Sequence, residues 1–256
     1  MLLEGKKALI FGLANNRSIA YGIAQALAAH GARLAFNYVG EAIKKRVEPI
    51  SQELGGEFTF PCDVCDDAQI QAAADLAREK WGELDILVHS VAFANREDLN
   101  GRFVDTSRDG FRLALEVSAY SLAALCRAFE PMLHEGSSVM TMTYHGSTKI
   151  VQGYNVMGVA KAALEASVRY LAYDLGPKGI RVNALSAGPV KTLAASAVSS
   201  LKDIFTHVEA HAPLRRNITT ADVGGAAVFL ASDLSHAITG EVIYVDSGMS
   251  QIGVVG

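Results

Sequence analysis

The chain alternates regularly between short apolar runs and longer segments with helical periodicity, and this alternation constrains its fold more than any other feature. The apolar runs lie at about residues 8–14, 32–38, 57–63, 85–91, 138–144, 180–186 and 241–246. Helical patterns between them lie at about residues 18–30, 41–54, 68–80, 109–133 and 154–175. Strands that are apolar on both faces and joined by helices belong to parallel sheets. The sequence therefore predicts an α/β fold: a single-domain, Rossmann-like, doubly wound sheet of seven parallel strands with helices on both faces.

The alternation also indicates how the chain is divided. We find no internal repeat, low-complexity stretch or Pro/Ser-rich linker, so we expect one domain over residues 1–256. Residues 191–212 depart from the strict alternation and are the expected insertion. A chain of this length hides roughly 70–75% of its unfolded surface on folding, so its core needs no disulfide or metal.

Composition limits the partners and the compartment. Half of the residues are hydrophobic and 20% are charged, which excludes intrinsic disorder. The net charge of −4 argues against nucleic acid or an anionic membrane as the main partner. No apolar run approaches the ~18–20 residues of a membrane span, and the first residues show no export signal. With only three cysteines in addition, we expect a cytoplasmic protein without membrane insertion.

The first strand runs into a turn that has the features of a phosphate site. Such a turn directs backbone N–H groups and a helix N-terminus at a pyrophosphate. Gly12 permits a tight turn, Ser18 can cap the following helix, and Gly22 allows close packing of helix and strand. Ala14 occupies the position of the second glycine in the usual G-x-G-x-x-G pattern, so the glycines could also be ordinary turn and packing residues.

The end of the second strand bears on the choice between NADH and NADPH. Residues 38–41 read Tyr-Val-Gly-Glu, and Glu41 either holds ribose hydroxyls or simply opens the next helix. A basic residue here would favour the extra phosphate of NADPH, but none occurs before Lys44. The pattern favours NADH, with NADPH the less favoured cofactor.

Asp63 and Val64 close the third strand, where the carboxylate can reach an adenine amino group and the valine can pack on the ring. The alternative is a turn-forming aspartate. Cys62 and Cys65 flank the pair, but no second ligand pair accompanies them, so a redox or metal role is disfavoured.

Two tyrosines and a lysine form the most informative stretch. Tyr154 and Lys161 are seven residues apart, which on a helix is within roughly 20° of one face and ~10 Å along the axis. Tyr144 lies just upstream, and neither tyrosine has a lysine four residues later. The residues alone leave open a packing tyrosine and a surface lysine.

The pattern resembles the short-chain dehydrogenase/reductase superfamily and, within it, the enoyl-acyl-carrier-protein reductases of type II fatty acid synthesis. The resemblance covers nearly the whole chain, and the seven-residue Tyr–Lys spacing is its specific feature, since most of the superfamily uses four. It is carried by Gly12, residues 18–22, Asp63 and Val64, Tyr144, Tyr154 and Lys161, and residues 181–184, 186–189, 192–196 and 246–248.

The resemblance implies the chemistry. NADH would deliver hydride to Cβ of a trans-2-enoyl thioester, carried on acyl carrier protein or coenzyme A, in the last step of the elongation cycle. Tyr154 would bind the thioester carbonyl and stabilise the enolate, and Lys161 would hold the nicotinamide ribose. Tyr144 would line the acyl pocket or control proton delivery. A homotetramer is also implied.

The resemblance further assigns contacts at three strand ends. Gly12, Ser18 and Ile19 would bind the cofactor phosphates. Ser90 and Val91 would lie by the cofactor and Ala94 by the substrate; without the resemblance these read as a buried strand end. The segment after the sixth strand would meet the nicotinamide amide and pyrophosphate through Gly188, Val190, Lys191, Thr192, Leu193 and Ala194. Residues 191–212 would include a substrate lid on a dinucleotide-binding and catalytic domain.

One geometric hypothesis explains the long Tyr–Lys spacing. In an enoyl thioester the developing charge lies two carbons beyond the carbon that receives hydride. If Lys161 stays on the ribose, three extra helical residues move the tyrosine outward by ~4.5 Å. A tyrosine that precedes the helix would weaken this explanation.

Two further features of the sequence bear on a metal site and on the carrier protein. His207 and His211 could share a helix face, but no third ligand accompanies them, so we expect no metal site. Basic residues near the lid are few, with Lys202 followed by Asp203, which makes carrier-protein docking less secure than thioester reduction. The alternatives are a ketone or alcohol oxidoreductase of the same superfamily, and a non-catalytic dinucleotide-binding regulator.

Overall fold

A computed structural model of the chain describes residues 1–192 and 201–253. Over these ranges seven strands form one parallel sheet in the order β3-β2-β1-β4-β5-β6-β7. The strands are β1 (Lys7–Phe11), β2 (Arg33–Tyr38), β3 (Phe58–Pro61), β4 (Leu84–His89), β5 (Leu133–Thr143), β6 (Arg181–Ala187) and β7 (Val242–Val245). The predicted doubly wound sheet is confirmed.

Helices cover both faces of this sheet. They are α1 (Ile19–Ala29), α2 (Gly40–Glu53), α3 (Asp67–Trp81), α4 (Arg96–Leu99), α5 (Arg108–Leu115), α6 (Ser121–Phe129), α7 (Val156–Leu175), α8 (Leu201–His211) and α9 (Thr220–Ala231). Alternate residues of β1 point to opposite sides: Leu9 packs in one core with α3, α6 and α7, and Ile10 in the other with α1, α2 and α9. A strand buried on both faces needs apolar residues at every position, which is why the runs read as continuous.

The long helix predicted over residues 109–133 is wrong in its detail. The segment divides into α5, a π-helical turn at Glu116–Tyr120, and α6, and Leu133 already belongs to β5. Apolar periodicity does not distinguish an α-helix from one with a π insertion, because the extra residue shifts the face by one position only. The π turn places Ser118 and Ser121 in the interior.

β1 and β4 are neighbours where the strand order reverses, and parallel sheets bind ligands at such a point, outside the carboxyl ends of the strands. Gly12 ends β1 with φ +96, and a Cβ there would lie 2.1 Å from the carbonyl oxygen of Ser90. Only glycine permits this approach of the two strand ends. The turn predicted at Gly12 is therefore present, with close strand contact as an additional reason for the residue.

Gly22 does pack closely, but the prediction of its partner was wrong. A Cβ at Gly22 would lie 2.4 Å from the Cβ of Thr220, at the start of α9. The glycine therefore brings two helices together rather than a helix and a strand. None of the helices in the described ranges is long and apolar enough to cross a membrane.

Candidate active site

Helix α1 begins at the sheet crevice with no side-chain cap. Ser18 has N-cap backbone geometry, but its hydroxyl donates to the Asn15 carbonyl at 2.6 Å, so the predicted capping bond is not formed. The first turn of α1 holds no acidic residue either. A helix N-terminus with uncapped N–H groups and no acidic side chain suits an anion, so this end of α1 fits a cofactor pyrophosphate.

Asn37 organises this crevice and was missed by the sequence analysis. Its Oδ1 accepts a hydrogen bond from the Gly12 N–H at 2.9 Å, and its Nδ2 donates to the Cys62 carbonyl at 3.0 Å. The side chain thus connects the ends of β1, β2 and β3. Its signal was a buried amide within an otherwise apolar strand.

The end of β3 shows the turn that was the alternative interpretation of Asp63. Asp63 Oδ1 accepts from the Cys65 N–H at 3.0 Å, as in a turn-forming aspartate, and Val64 is buried. Burial raises the pKa of the Cys62 thiol to about 12, while Cys65 is exposed. A thiol with so high a pKa is a poor redox or metal ligand, which agrees with the disfavoured C-x-x-C interpretation.

The segment after β4 is held by the π-helical turn. Ser118 Oγ accepts from the Phe93 N–H at 3.0 Å and donates to the Phe93 carbonyl at 3.2 Å. Val91 packs against the core beneath the sheet, whereas Ala94 and Tyr154 pack against one small apolar cluster beside α7. The structure therefore brings the predicted substrate residue Ala94 into the neighbourhood of the predicted catalytic tyrosine.

Lys161 lies on the buried face of α7 and reaches the end of β5. Its ammonium donates to the Met142 carbonyl at 2.8 Å. Burial lowers the pKa of Lys161 to about 8, and the Glu165 carboxylate partly opposes that shift by raising it. An amine with this pKa remains mostly protonated at neutral pH, so a cation stands at the crevice. The open alternative of a surface lysine is thereby wrong.

Tyr154 precedes the helix, which weakens the geometric hypothesis for the spacing. Helix α7 begins at Val156, because Asn155 has φ 34 and Gly153 has φ 77, which are not helical values. Tyr154 and Lys161 therefore do not occupy one helix face. Tyr154 lies in a turn, and its backbone N–H donates to the Val151 carbonyl at 3.2 Å.

The two tyrosine rings pack against each other. The ring centroids of Tyr144 and Tyr154 lie 5.1 Å apart at 76°, an edge-to-face contact. Burial raises the pKa of Tyr144 to about 12, with a contribution from the charge of Asp246, and burial raises the pKa of Tyr154 well above its usual value. Both phenols therefore remain neutral hydrogen-bond donors rather than phenolates.

A cavity of about 520 Å³ opens on the outer side of these rings. Tyr144 and Gly188 line it with residues of the segment 150–152 and of α8, including Ile204 and Val208. Tyr154 is not among the lining residues, but its ring contacts the Tyr144 ring that lines the cavity. The lining is more apolar than polar, so a substrate with a large apolar part fits this space.

The segment after β6 was predicted to hold the cofactor over residues 188–194. Gly188 donates to the Val245 carbonyl at 2.8 Å, and Val190 is buried. Lys191 is exposed, with its ammonium 5.5 Å from the centre of the Phe205 ring of α8, and the Thr192 N–H donates to the Val190 carbonyl. Residues 193–200 of the predicted lid, which include Leu193 and Ala194, lie outside the described residues.

No group of three potential metal ligands occurs among residues 1–192 and 201–253. The ring centroids of His207 and His211 lie 4.3 Å apart, and His211 Nδ1 contacts the His207 carbonyl at 2.9 Å. The two histidines therefore contact each other along one face of α8.

Gly146 sets the position of both tyrosines, and this yields a prediction. A Cβ at Gly146 would lie 2.7 Å from Tyr154 Cδ1 and 3.2 Å from Tyr144 Cδ1, so a side chain must displace the rings. We expect Gly146→Ala to lower turnover by about 10²-fold, the typical cost of misplacing a catalytic group by about 1 Å. Gly176→Ala is the control, since a Cβ there meets nothing within 4 Å. Equal activity of the two variants would contradict the assignment.

The chain is similar to known proteins over nearly its whole length. A sequence model described as Enoyl-(Acyl carrier protein) reductase matches residues 12–250. An enoyl-(acyl-carrier-protein) reductase (NADH) FabI of Nostoc sp. is 53% identical over 255 residues, covering 98% of this chain and 99% of that protein.

Two solved structures are similar over nearly their whole length. The enoyl-acyl-carrier-protein reductase of Anaplasma phagocytophilum in complex with NAD superposes with a TM-score of 0.97 at 49% identity, covering 100% of this chain and 98% of that one. The enzyme of Bacillus cereus with NADP+ and indole naphthyridinone has a TM-score of 0.97 at 49% identity and covers 99% of both chains. With sequence and fold in agreement over the full length, this chain belongs to the enoyl-(acyl carrier protein) reductase family.

Proposed function

We propose that this protein is an NADH-dependent enoyl-acyl-carrier-protein reductase, which reduces the trans-2 double bond of an enoyl thioester in fatty acid elongation. The observation that carries the proposal is the arrangement at the crevice of a buried ammonium, Lys161, with a neutral phenol pair, Tyr144 and Tyr154. The family's curated members at about half identity are named as NADH enzymes.

The chain offers a fitting place for the dinucleotide. The uncapped start of α1 suits the pyrophosphate, with Gly12, Ser18 and Ile19 beside it. Asp63 and Val64 would hold the adenine, and Ser90, Val91, Gly188, Val190, Lys191, Thr192, Leu193 and Ala194 the nicotinamide half. When bound, NADH supplies the hydride that adds to Cβ of the substrate.

Residues of the chain stabilise the negative charge that this addition creates. The electron pair of the double bond moves to the thioester oxygen, and a proton from solvent then completes Cα. Tyr154 donates a hydrogen bond to that oxygen, and Tyr144 packs on its ring and lines the acyl cavity with Ala94 nearby. Lys161 holds the ribose hydroxyls and adds a positive charge that favours the anion.

The phenol pKa values distinguish this reaction from the oxidation of an alcohol. A base that removes an alcohol proton needs a lowered pKa, whereas burial raises the pKa of Tyr154. A phenol that keeps its proton is suited to stabilise an enolate by donation. This observation disfavours alcohol oxidation, and the seven-residue separation of Tyr154 and Lys161, where most of the superfamily has four, disfavours ketone reduction.

NADH oxidation, followed spectrophotometrically, tests the function. We expect oxidation with crotonyl-coenzyme A, and faster oxidation when NADH rather than NADPH is supplied. A panel of ketones is the matched control. Oxidation with ketones alone would support the alternative oxidoreductase, and none with either substrate would support a dinucleotide-binding regulator.

The finer features of the function are proposals as well. We propose a cytoplasmic homotetramer, one domain over residues 1–256, and a substrate lid at about 191–212. Exposed aromatic side chains such as Tyr170 and Tyr173 of α7 are the kind of surface that a second copy covers. Size-exclusion chromatography with light scattering tests the assembly, and a monomeric mass would contradict it.

A further inference from the structure

A buried carboxylate behind Lys161 has no part in the reaction proposed above. Glu165 lies one helical turn after Lys161 on α7 and is only 7% exposed. Its Oε1 accepts a hydrogen bond of 2.6 Å from the Thr143 hydroxyl. The preceding residue on β5, Met142, accepts through its carbonyl from the Lys161 ammonium. Two successive residues at one strand end therefore hold two opposite charges on one helix.

Burial of a carboxylate is unfavourable unless hydrogen bonds and a nearby cation compensate for it. The Thr143 hydroxyl supplies one such hydrogen bond to Glu165, and Lys161 is the cation on the same helix. Among the contacts of the described residues there is no direct ion pair between Glu165 and Lys161, although the i,i+4 spacing brings the side chains to one face. Glu165 therefore acts on the ammonium through space.

We propose that Glu165 is a positioning residue: its carboxylate, held by Thr143, keeps Lys161 charged and directed towards the cofactor ribose. This inference rests on the role of Lys161 in the proposed function. It explains why a chain with an otherwise apolar α7 interior retains a second buried charge beside the first.

Other groups around Lys161 do not replace this carboxylate. Titratable side chains on the surrounding elements include His89 of β4, Glu116 of the π turn, Cys126 of α6, Tyr144 and His145 after β5, Tyr154 before α7, Arg181 of β6 and Asp246 after β7. Burial lowers the pKa of His89 to about 3, and it is held by Thr141 and Ser121, so it stays neutral. Burial likewise lowers the pKa of His145, and the charge of Asp246 acts on His145 and Tyr144. Of the described carboxylates, Glu165 is the one that raises the pKa of Lys161.

The sign of the effect follows from these shifts. Burial already lowers the pKa of Lys161 to about 8, and Glu165 opposes that change. Without the carboxylate the pKa falls further, so the ammonium loses its proton at a lower pH. Any property that needs the charged lysine then declines at a lower pH.

The experiment is a fluorescence titration of NADH binding between about pH 6.5 and 10, made without any enoyl substrate. For Glu165→Gln, which keeps the side-chain shape, we expect the alkaline decline in affinity to move down by about 1 pH unit or more, the usual effect of one close charge. Asp174→Asn is the matched control, since it removes an exposed carboxylate from the same helix and should leave the profile unchanged. An unmoved profile in Glu165→Gln would overturn the proposal.

Further variants keep the test decisive if Glu165→Gln does not fold. Glu165→Asp retains the charge and is expected to keep a profile close to the parental one, whereas Thr143→Val should shift it downward by a smaller amount. A Thr143→Val profile identical to the parental one would refute the inference. Lys161→Met should abolish the alkaline decline in NADH affinity. If the decline persisted in this variant, a group other than Lys161 would cause it, which would contradict the proposal. Because binding is measured alone, failure of crotonyl-coenzyme A reduction would contradict the proposed function separately.

Discussion

Lys161→Ala is expected to lower kcat/KM for crotonyl-coenzyme A by more than about 10³-fold and to weaken NADH binding at the same time. Removal of one charge-stabilising donor typically costs about 10²–10³ in rate, and Lys161 is assigned a second task at the ribose. Its ammonium is buried and bonded to the Met142 carbonyl, so no solvent-exposed side chain can take its place. Steady-state kinetics and an NADH titration measure the two effects.

Two variants separate the effect of the Lys161 charge from the effect of its side-chain volume. Lys161→Met retains most of the side-chain volume and should lose as much activity as the alanine variant, if the charge matters. Lys149→Ala removes an exposed lysine from the segment after β5 and should behave as the parent protein. Circular dichroism confirms folding of each variant. Parental NADH affinity in a folded Lys161→Met protein would show that the assigned role is wrong.

Tyr154→Phe is expected to lower kcat by about 10²–10³-fold, equivalent to roughly 2.7–4 kcal/mol, with a smaller change in KM. The hydroxyl is proposed to bind the oxygen on which charge develops, so its loss should affect the transition state more than the bound substrate. The ring remains, and with it the edge-to-face contact to Tyr144. The measurement is turnover at saturating crotonyl-coenzyme A.

The other tyrosines provide the comparison for that result. Tyr144→Phe should lose less activity, because Tyr144 is assigned to the cavity wall rather than to the anion. Tyr170→Phe removes an exposed hydroxyl from α7 and should have no effect. Near-parental turnover in Tyr154→Phe, or a larger loss in Tyr144→Phe, would reverse the roles of the two residues.

Much of the fold could be predicted because its signal is local. A strand buried on both faces must be apolar at every position, and the seven runs were found within a few residues of their final bounds. The residues at the strand ends, such as Gly12 and Asp63, could be assigned to one edge because parallel strands place their carboxyl ends together. The resemblance added the roles of Tyr154 and Lys161.

Three features of the site depended on contacts between distant parts of the chain. Asn37, Thr143 and Glu165 are polar residues within apolar patterns. Asn37 bonds to backbone groups at the ends of β1 and β3, and Thr143 of β5 bonds to Glu165 of α7. Periodicity averages over such residues and so hides them. A sequence search for buried polar residues would identify candidates, but not their partners.

What the sequence alone determined is the parallel sheet and its covering helices, which follow from periodicity, and the family, which follows from the resemblance. Tertiary structure alone decided how the catalytic groups meet. The positive φ values of Gly153 and Asn155 make α7 begin at Val156, after Tyr154. The π turn at Glu116–Tyr120 directs Ser118 to the segment after β4. The physical reason is that these backbone conformations are stabilised by packing against other elements, which no local pattern records.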